Sequence, residues 1–367
     1  MEKYIGIAGI SGKIGSCLSV LLAEKHKVLG GARSIAEKTE EGNIVKCHLD
    51  IYDDDSLRSF CRECSVVVNC TGPSYVIKDR ILKICAEYGV KYADLSGDMI
   101  TDGDYRKQYD TCSVSCLVGT GFVAGLSGVL PLYYSGKFFD SVSSVVCFQG
   151  SREPASRNSI TDIILSSVAD SGHPGCFYQE GSIVPYAETN NRKQEVTGFP
   201  EPVYLKAYIS NEMQQSAETG GFEKLVWFNA IPDDEIAAIA SDMFSGSDNT
   251  VIDADSQKVE NYLRVFNAIA DTRPHWNILA YEMTGKKNDC DITKRIICRI
   301  KNGYMVCAAM ASLAVEALLS KDITGVHWGF EAVSGEKAVE LLYSTGAVEE
   351  ISVNDVYSED DMEEDVI

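Results

Sequence analysis

The stretch from Tyr4 to Ser16 constrains the fold more than any other. An apolar, β-branched run ends at Ile7, Gly9-Ile10-Ser11-Gly12-Lys13-Ile14-Gly15 follows, and apolar residues then recur at helical spacing through Leu22. Three glycines between a strand and a helix have a physical reading. Gly9 can make the tight turn out of the strand, Gly12 leaves room for a pyrophosphate against the backbone, and Gly15 lets the helix lie close to the sheet. Ser11, Lys13 and Ile14 bring N–H groups at the helix start to the same anion. The spacing is G-x-x-G-x-x-G, with Ile10 where the more familiar G-x-G-x-x-G form would carry a further glycine. A plain glycine-rich turn is the alternative reading.

The next hundred residues repeat the alternation. Apolar runs at Lys27–Leu29, Ile44–Leu49, Val66–Asn69 and Ser113–Val118 are separated by helical patterns at Ser56–Arg62 and Ile77–Tyr88. Strand and helix in alternation predict right-handed βαβ units and a doubly wound parallel sheet. After about Gly121 the pattern changes. Strands are expected at Val142–Phe148, Val203–Ile209, Leu225–Ile231, Ile278–Met283 and Ile292–Ile300, with a hairpin around Glu180-Gly181. Helices are expected at Ser159–Val168, after Pro232 and over Met305–Leu319; the polar segments 188–201 and 245–250 read as loops. The fold class is therefore α/β, an N-terminal Rossmann-type sheet followed by a mixed α/β substrate domain.

The end of the second strand selects between dinucleotides. A site for NAD places an acid there for the ribose 2′-hydroxyl. This chain has Leu29-Gly30-Gly31-Ala32-Arg33-Ser34, with Arg33 standing 21 residues beyond Gly12. A guanidinium can clamp a 2′-phosphate and Ser34 can add a hydroxyl, so NADP is expected before NAD. Asp50, after the third strand, is placed either to approach the adenine or to cap a turn. Cys70, Thr71, Gly72 and Pro73 follow the fourth strand, in the crevice where nicotinamide and ribose would lie.

Charge narrows the function classes. With 33 Lys and Arg against 54 Asp and Glu the net charge is −21, which disfavours nucleic acid and anionic membranes as partners. Nine acidic and no basic residues follow from Glu349 onward, so the rest of the chain carries −12. No apolar run was expected to reach the ~18 residues of a membrane span, and the N-terminus shows no signal-peptide pattern. A cytoplasmic location is the expectation, and the 13 cysteines read as free thiols there. Cys61 and Cys64 form a C-x-x-C without a second pair, and no metal site is expected. Serine-hydrolase elbows, H-E-x-x-H and Walker loops are absent from the sequence.

GIAGISGKIG, GGARS, VVVNCTGPSYVIKDRILKICAEYGVKYADLSGD and GTGFVAGLSGVLP together resemble the saccharopine dehydrogenase-like oxidoreductases. The family's Gly-Pro-aromatic turn corresponds to Gly72, Pro73 and Tyr75, with the aromatic one residue later than in the tight form. Its segment after the next strand corresponds to Asp94, Leu95, Ser96, Gly97 and Asp98. The resemblance covers about residues 1–135 and returns at the C-terminal helix and Gly325–Trp328. It implies a Rossmann domain, an α/β substrate domain, a last helix and strand returning to the first domain, and NAD(P)-linked hydride transfer at a C–N bond. On that basis residues 1–120 form the NADP-binding domain and 121–303 the substrate and dimerisation domain. Residues 304–350 are the returning helix and strand, and 351–367 an acidic, disordered tail. The family's G-x-D-P-G loop is replaced by Gly119-Thr120-Gly121-Phe122-Val123-Ala124-Gly125, which departs from members acting on amino-acid–keto-acid adducts.

Four residues are candidates for chemistry. Tyr75 is aimed by the Gly-Pro turn at the nicotinamide end, as a proton donor or as a ring under the cofactor. Asp94 and Asp98 could hold an ammonium or iminium, or cap the following helix. His275, in Arg273-Pro274-His275-Trp276, could be an acid–base group or a structural loop residue. Arg152 and Arg157 could grip a substrate carboxylate or lie on the surface. The expected function is hydride transfer to or from an imine or secondary amine of a small molecule, by a homodimer. Two alternatives are reduction of a C=C or C=O bond on a carrier-bound or lipid-like substrate, and a cofactor-binding regulator without turnover.

Overall fold

The computed structural model describes residues 3–101, 103–110, 114–166, 172–187, 192–244 and 257–357. Two bodies emerge: Met1–Val129 with Asn302–Ala347, and Leu130–Lys301 with Val348–Ile367. The chain changes body near 129, 301 and 347, where the sequence places boundaries at 120, 303 and 350.

The first body opens with β1 (Tyr4–Ala8), α1 (Lys13–Ala23), β2 (Val28–Ala32), β3 (Thr39–Glu41), β4 (Ile44–His48), α2 (Asp54–Arg62) and β5 (Cys64–Asn69). There follow α3 (Ser74–Ile77), α4 (Arg80–Glu87), β6 (Lys91–Asp94), a 3-10 turn at Asp98–Thr101, α5 (Gly103–Asp110), β7 (Ser115–Val118) and α6 (Leu126–Phe138), whose residues after Val129 already belong to the second body. The second body contributes β8 (Ser141–Arg152), α7 (Arg157–Ser166), β9 (Gly172–Pro174), β10 (Cys176–Gln179), β11 (Ser182–Pro185), β12 (Tyr204–Ser210) and α8 (Asn211–Gly220). It continues with β13 (Lys224–Ile231), α9 (Asp234–Phe244), α10 (Gln257–Thr272), β14 (Trp276–Lys287) and β15 (Cys290–Ile300). The chain then adds α11 (Gly303–Ser320), β16 (Gly325–Trp328), α12 (Gly329–Ala332) and α13 (Gly335–Ser344) to the first body, and β17 (Val348–Asp355) to the second.

The first sheet has eight strands in the order β16-β7-β6-β5-β1-β2-β4-β3. All neighbours are parallel except β3 on β4. Parallel strands covered on both faces need apolar residues at every position, which is why Val66, Val67 and Val68 are all fully buried. The order reverses between β1 and β5, so the ligand crevice of such a sheet opens at their carboxyl ends. A single helix expected over Ile77–Tyr88 is instead two. Lys78 turns left-handed, with φ 52°, and the Tyr109 hydroxyl donates to Asp79 at 2.6 Å at the start of α4.

Helix α11 corrects the membrane reading in part. Its eighteen residues have the length and apolarity of a span. Yet ten of them are buried in the first body, where α11 packs on α1, α13 and strands β5 to β7. Ala308, Ala309, Ala311 and Ala314, all fully buried, allow that close approach. It is a core helix by its contacts.

The second sheet runs β11-β10-β13-β8-β14-β15-β17, with β12 on β13 and β9 on β12. β8 and β13 are parallel and the other pairs antiparallel, so this sheet is mixed. The start of the expected tail is corrected here. Ile351–Asp355 belong to β17, which pairs with β15 from Ile300↔Val348 to Lys294↔Asp355. The acids are balanced by the partner strand: Lys294 reaches Asp355 at 2.6 Å and Arg299 reaches Glu350 at 4.0 Å. Only α11 to α13 and β16 return to the first body; Val348–Glu350 do not. Residues 358–367, and the expected loops at 188–191 and 245–250, lie outside the described residues.

Candidate cofactor and reaction site

The glycine loop closes as its sequence demands. Gly9 takes φ +93°, a region that L side chains rarely enter, and its N–H donates to the Gly31 carbonyl at 2.8 Å. Gly12 is the N-cap of α1 and, lacking a side chain, caps nothing. The N–H groups of Lys13, Ile14 and Gly15 in the first turn are therefore left for an external acceptor. A Cβ on Gly15 would lie 2.3 Å from the Gly9 carbonyl oxygen, whereas one on Gly12 would meet only that oxygen, at 3.3 Å. Gly15 is thus needed for packing and Gly12 for the open seat above the loop. Ile10 does not intrude on that seat. It is buried over Gly30, where a Cβ would sit 2.0 Å from its δ-carbon.

At the end of β2, Arg33 and Ser34 are exposed. Arg33 makes no hydrogen bond or ion pair with any described residue, and no acid occupies this strand end. A free guanidinium fits a 2′-phosphate. Asp50 spends its carboxylate locally, accepting the Tyr52 N–H at 3.0 Å before α2. It is a turn residue in this structure, and Asp53 is the N-cap of α2.

The carboxyl ends of β5 and β6 carry a buried polar network. Asn69 donates to Asp94 at 2.9 Å and accepts from the N–H and hydroxyl of Thr71 at 2.9 and 2.5 Å. Asp94 also accepts from the Tyr92 hydroxyl at 2.5 Å and the Ser96 N–H at 3.0 Å. Its carbonyl takes the N–H and hydroxyl of Thr120, after β7, at 3.0 and 2.8 Å. Burial pushes the Asp94 carboxyl above the usual carboxylate range, and the three donors to it hold the rise back. At 3% exposure, Asp94 is buried, and its hydrogen bonds tie three strand ends together. Asn69, Tyr92 and Thr120 were not singled out in the sequence, because their roles depend on a carboxylate that only the sheet brings to them.

Tyr75 and Asp98, by contrast, are only half-buried and meet: the Tyr75 hydroxyl donates to Asp98 at 2.6 Å. Tyr75 lies in α3, whose N-cap is Pro73 after a cis Gly72-Pro73 bond. Asp98 opens the 3-10 turn after β6. Cys70, between Asn69 and Thr71, has its thiol pushed up by burial and by Asp94, so it is a poor nucleophile.

Other candidates lie elsewhere. His275 is in the second body, between α10 and β14, and its Nε2 bonds the Ala270 carbonyl at 2.9 Å. Arg152 is neither a surface residue nor available to a substrate. It is 4% exposed and pairs with both Asp233 oxygens at 3.0 and 3.1 Å and with Glu201 at 2.7 Å. Arg157 pairs with Glu260. Cys61 and Cys64 are buried core thiols, Cys61 3.8 Å from Cys85, and burial raises the Cys64 thiol. No group of three metal-ligating side chains occurs among the described residues. The second body holds a cleft of about 210 Å³ lined by Phe148, Leu205, Ala280, Glu282 and Arg295 among others.

Comparison with known proteins supports this reading of the loop. Residues 5–112 match the saccharopine dehydrogenase NADP binding domain. A probable mitochondrial saccharopine dehydrogenase-like oxidoreductase of Arabidopsis thaliana is 39% identical over 49 residues, 13% of this chain and 11% of that protein. The match thus spans about a ninth of that relative's length. Apo histidine-tagged saccharopine dehydrogenase (L-Glu forming) from Saccharomyces cerevisiae shares the fold. Its TM-score is 0.65 at 9% identity, over 97% of this chain and 100% of that one. Residues 5–112 are accordingly an NADP-binding domain of the saccharopine dehydrogenase type, with NADP as the cofactor.

Proposed function

We propose that this protein is an NADP-dependent oxidoreductase acting at a C–N bond of a small molecule, reducing an imine or oxidising a secondary amine. The Tyr75–Asp98 pair carries the reading. Bound NADPH supplies the hydride. Gly9, Gly12 and the first-turn N–H groups of α1 would hold the diphosphate, Arg33 and Ser34 the 2′-phosphate, and Cys70 to Pro73 the nicotinamide end. Asp98 offers a carboxylate beside that end, and Tyr75 fixes its orientation by donating to it. A carboxylate favours the protonated, more electrophilic form of an imine and stabilises an ammonium product. Carbonyl reduction develops negative charge on oxygen and needs a donor, whereas the Tyr75 hydrogen is committed to Asp98. That contrast favours C–N chemistry over the C=O alternative. A cytoplasmic homodimer is part of the same proposal.

The test is NADPH oxidation with mixtures of oxo acids or aldehydes and amines, against the same carbonyl compounds and enones alone. Turnover is expected only with amine present. Asp98→Asn should cost about a hundredfold in kcat/KM and Tyr75→Phe about tenfold, in the range of acid–base and electrostatic groups. Equal turnover without amine, or variants as active as the wild type, would refute it.

A further inference from the structure

The returning helix α11 lies along α1, with one side-chain contact at the start of both helices and a second just past the end of α1. Lys13, in the first turn of α1, places Nζ 3.3 Å from the hydroxyl of Tyr304, in the first turn of α11, and 4.7 Å from its ring centroid. Thirteen residues on, His26 meets Glu316 at 2.8 Å, twelve residues beyond Tyr304. Matched spacing means that the helices run parallel, so both N-termini point to the carboxyl edge of the sheet. The glycine loop lies at the same edge. Lys13 has no carboxylate partner among the described residues, although the chain carries −21. Among the described residues, only a phenol and its π face hold this cation.

An unpaired ammonium is mobile and readily captured by any nearby acid in so acidic a protein. The ring and hydroxyl of Tyr304 restrict it without neutralising it. We infer that Tyr304 is a positioning residue that holds the Lys13 ammonium at the mouth of the glycine loop, where it meets the cofactor diphosphate. A segment nearly 300 residues from the loop thereby completes the anion site. The inference rests on the NADP site described above.

The experiment measures dissociation constants of NADPH and NADH, by fluorescence titration over a range of salt, for the full chain. Lys13→Met should weaken both cofactors by about tenfold, since both carry the diphosphate, and should flatten the salt dependence. Tyr304→Ala should weaken both by about threefold to tenfold, and Tyr304→Phe, which keeps the ring, by less. The decisive measurement is Lys13→Met/Tyr304→Ala. If Tyr304 acts through Lys13, the double variant binds no worse than Lys13→Met alone. A further loss in that background equal to the loss in wild type would overturn the inference. So would an unchanged affinity for Lys13→Met while Gly12→Ala abolishes binding, an outcome that leaves the loop assignment intact. Loss of NADPH binding specificity for the loop, seen as tight binding by Gly12→Ala, would instead remove the site reading itself. His26→Gln loosens the other end of the helix pair and should leave both affinities unchanged; a loss matching that of Tyr304→Ala would point to helix packing and count against the inference.

Discussion

Replacing Asp94 by Asn removes one charge from the first body and almost no volume. Three donors converge on the native carboxylate: Asn69 Nδ2 at 2.9 Å, the Tyr92 hydroxyl at 2.5 Å and the Ser96 N–H at 3.0 Å. An amide can still accept from Ser96, and Tyr92 can rotate its hydrogen away. Asn69 has no such escape. Turning its amide over would strip Thr71 of the oxygen that now accepts both its N–H and its hydroxyl. One donor must therefore face another in a site 3% exposed, a cost of about 1–3 kcal/mol. The pH dependence carries the sharper test. Burial raises the folded-state pKa of Asp94, so the native protein binds the proton more tightly than the unfolded chain. Its contribution to stability is then fully present below the ordinary carboxylate range and falls as pH rises through the raised value. Asp94→Asn does not titrate. Its deficit against wild type should be largest in acid and shrink toward neutral pH. Native-state amide exchange in β5 and β6 reads the first body alone and can follow this. A deficit that grows with pH, or stays below about 0.5 kcal/mol throughout, would refute the reasoning.

Three further expectations follow from the geometry. Gly15→Ala should lower thermal stability and abolish NADPH binding, because its Cβ meets backbone atoms that cannot yield, whereas Gly12→Ala should keep its melting temperature and lose binding alone. Differential scanning fluorimetry with and without NADPH separates the two, and parallel behaviour would contradict the roles assigned. Arg33→Glu should weaken NADPH far more than NADH and alter stability by less than about 0.5 kcal/mol, since the exposed Arg33 makes no hydrogen bond or ion pair with a described residue; an unchanged cofactor ratio would count against the 2′-phosphate site. Arg152→Met should cost about 3–5 kcal/mol in urea unfolding, because Asp233, 1% exposed, loses its bidentate partner; a change below about 1 kcal/mol would show that Arg273 suffices for Asp233.

The sequence by itself determined the first sheet, the glycine loop and the choice of cofactor. These are local matters. A strand, three spaced glycines and a helix lie within twenty residues, and the absence of an acid at Ala32-Arg33-Ser34 can be read without knowing what is nearby. Alternation of apolar runs placed the parallel strands because each is buried on both faces. Tyr75 and Asp98 were legible as candidates, but not as a pair 2.6 Å apart.

Only the tertiary structure decided what the charged residues do. Asp94 resembles Asp98 in the sequence, and four residues separate them. One is sealed among Tyr92, Asn69 and Ser96, while the other meets a phenol at a half-buried edge. Arg152 reads as a surface cation until the fold brings Asp233 to it across 81 residues. The acidic stretch after Glu349 reads as solvated until β15 supplies Lys294 and Arg299 beside it. Tyr304 lies 291 residues from Lys13. A charge has no fixed meaning in a one-dimensional pattern, because its energy depends on burial and on partners a few ångströms away. Packing of the whole chain fixes both.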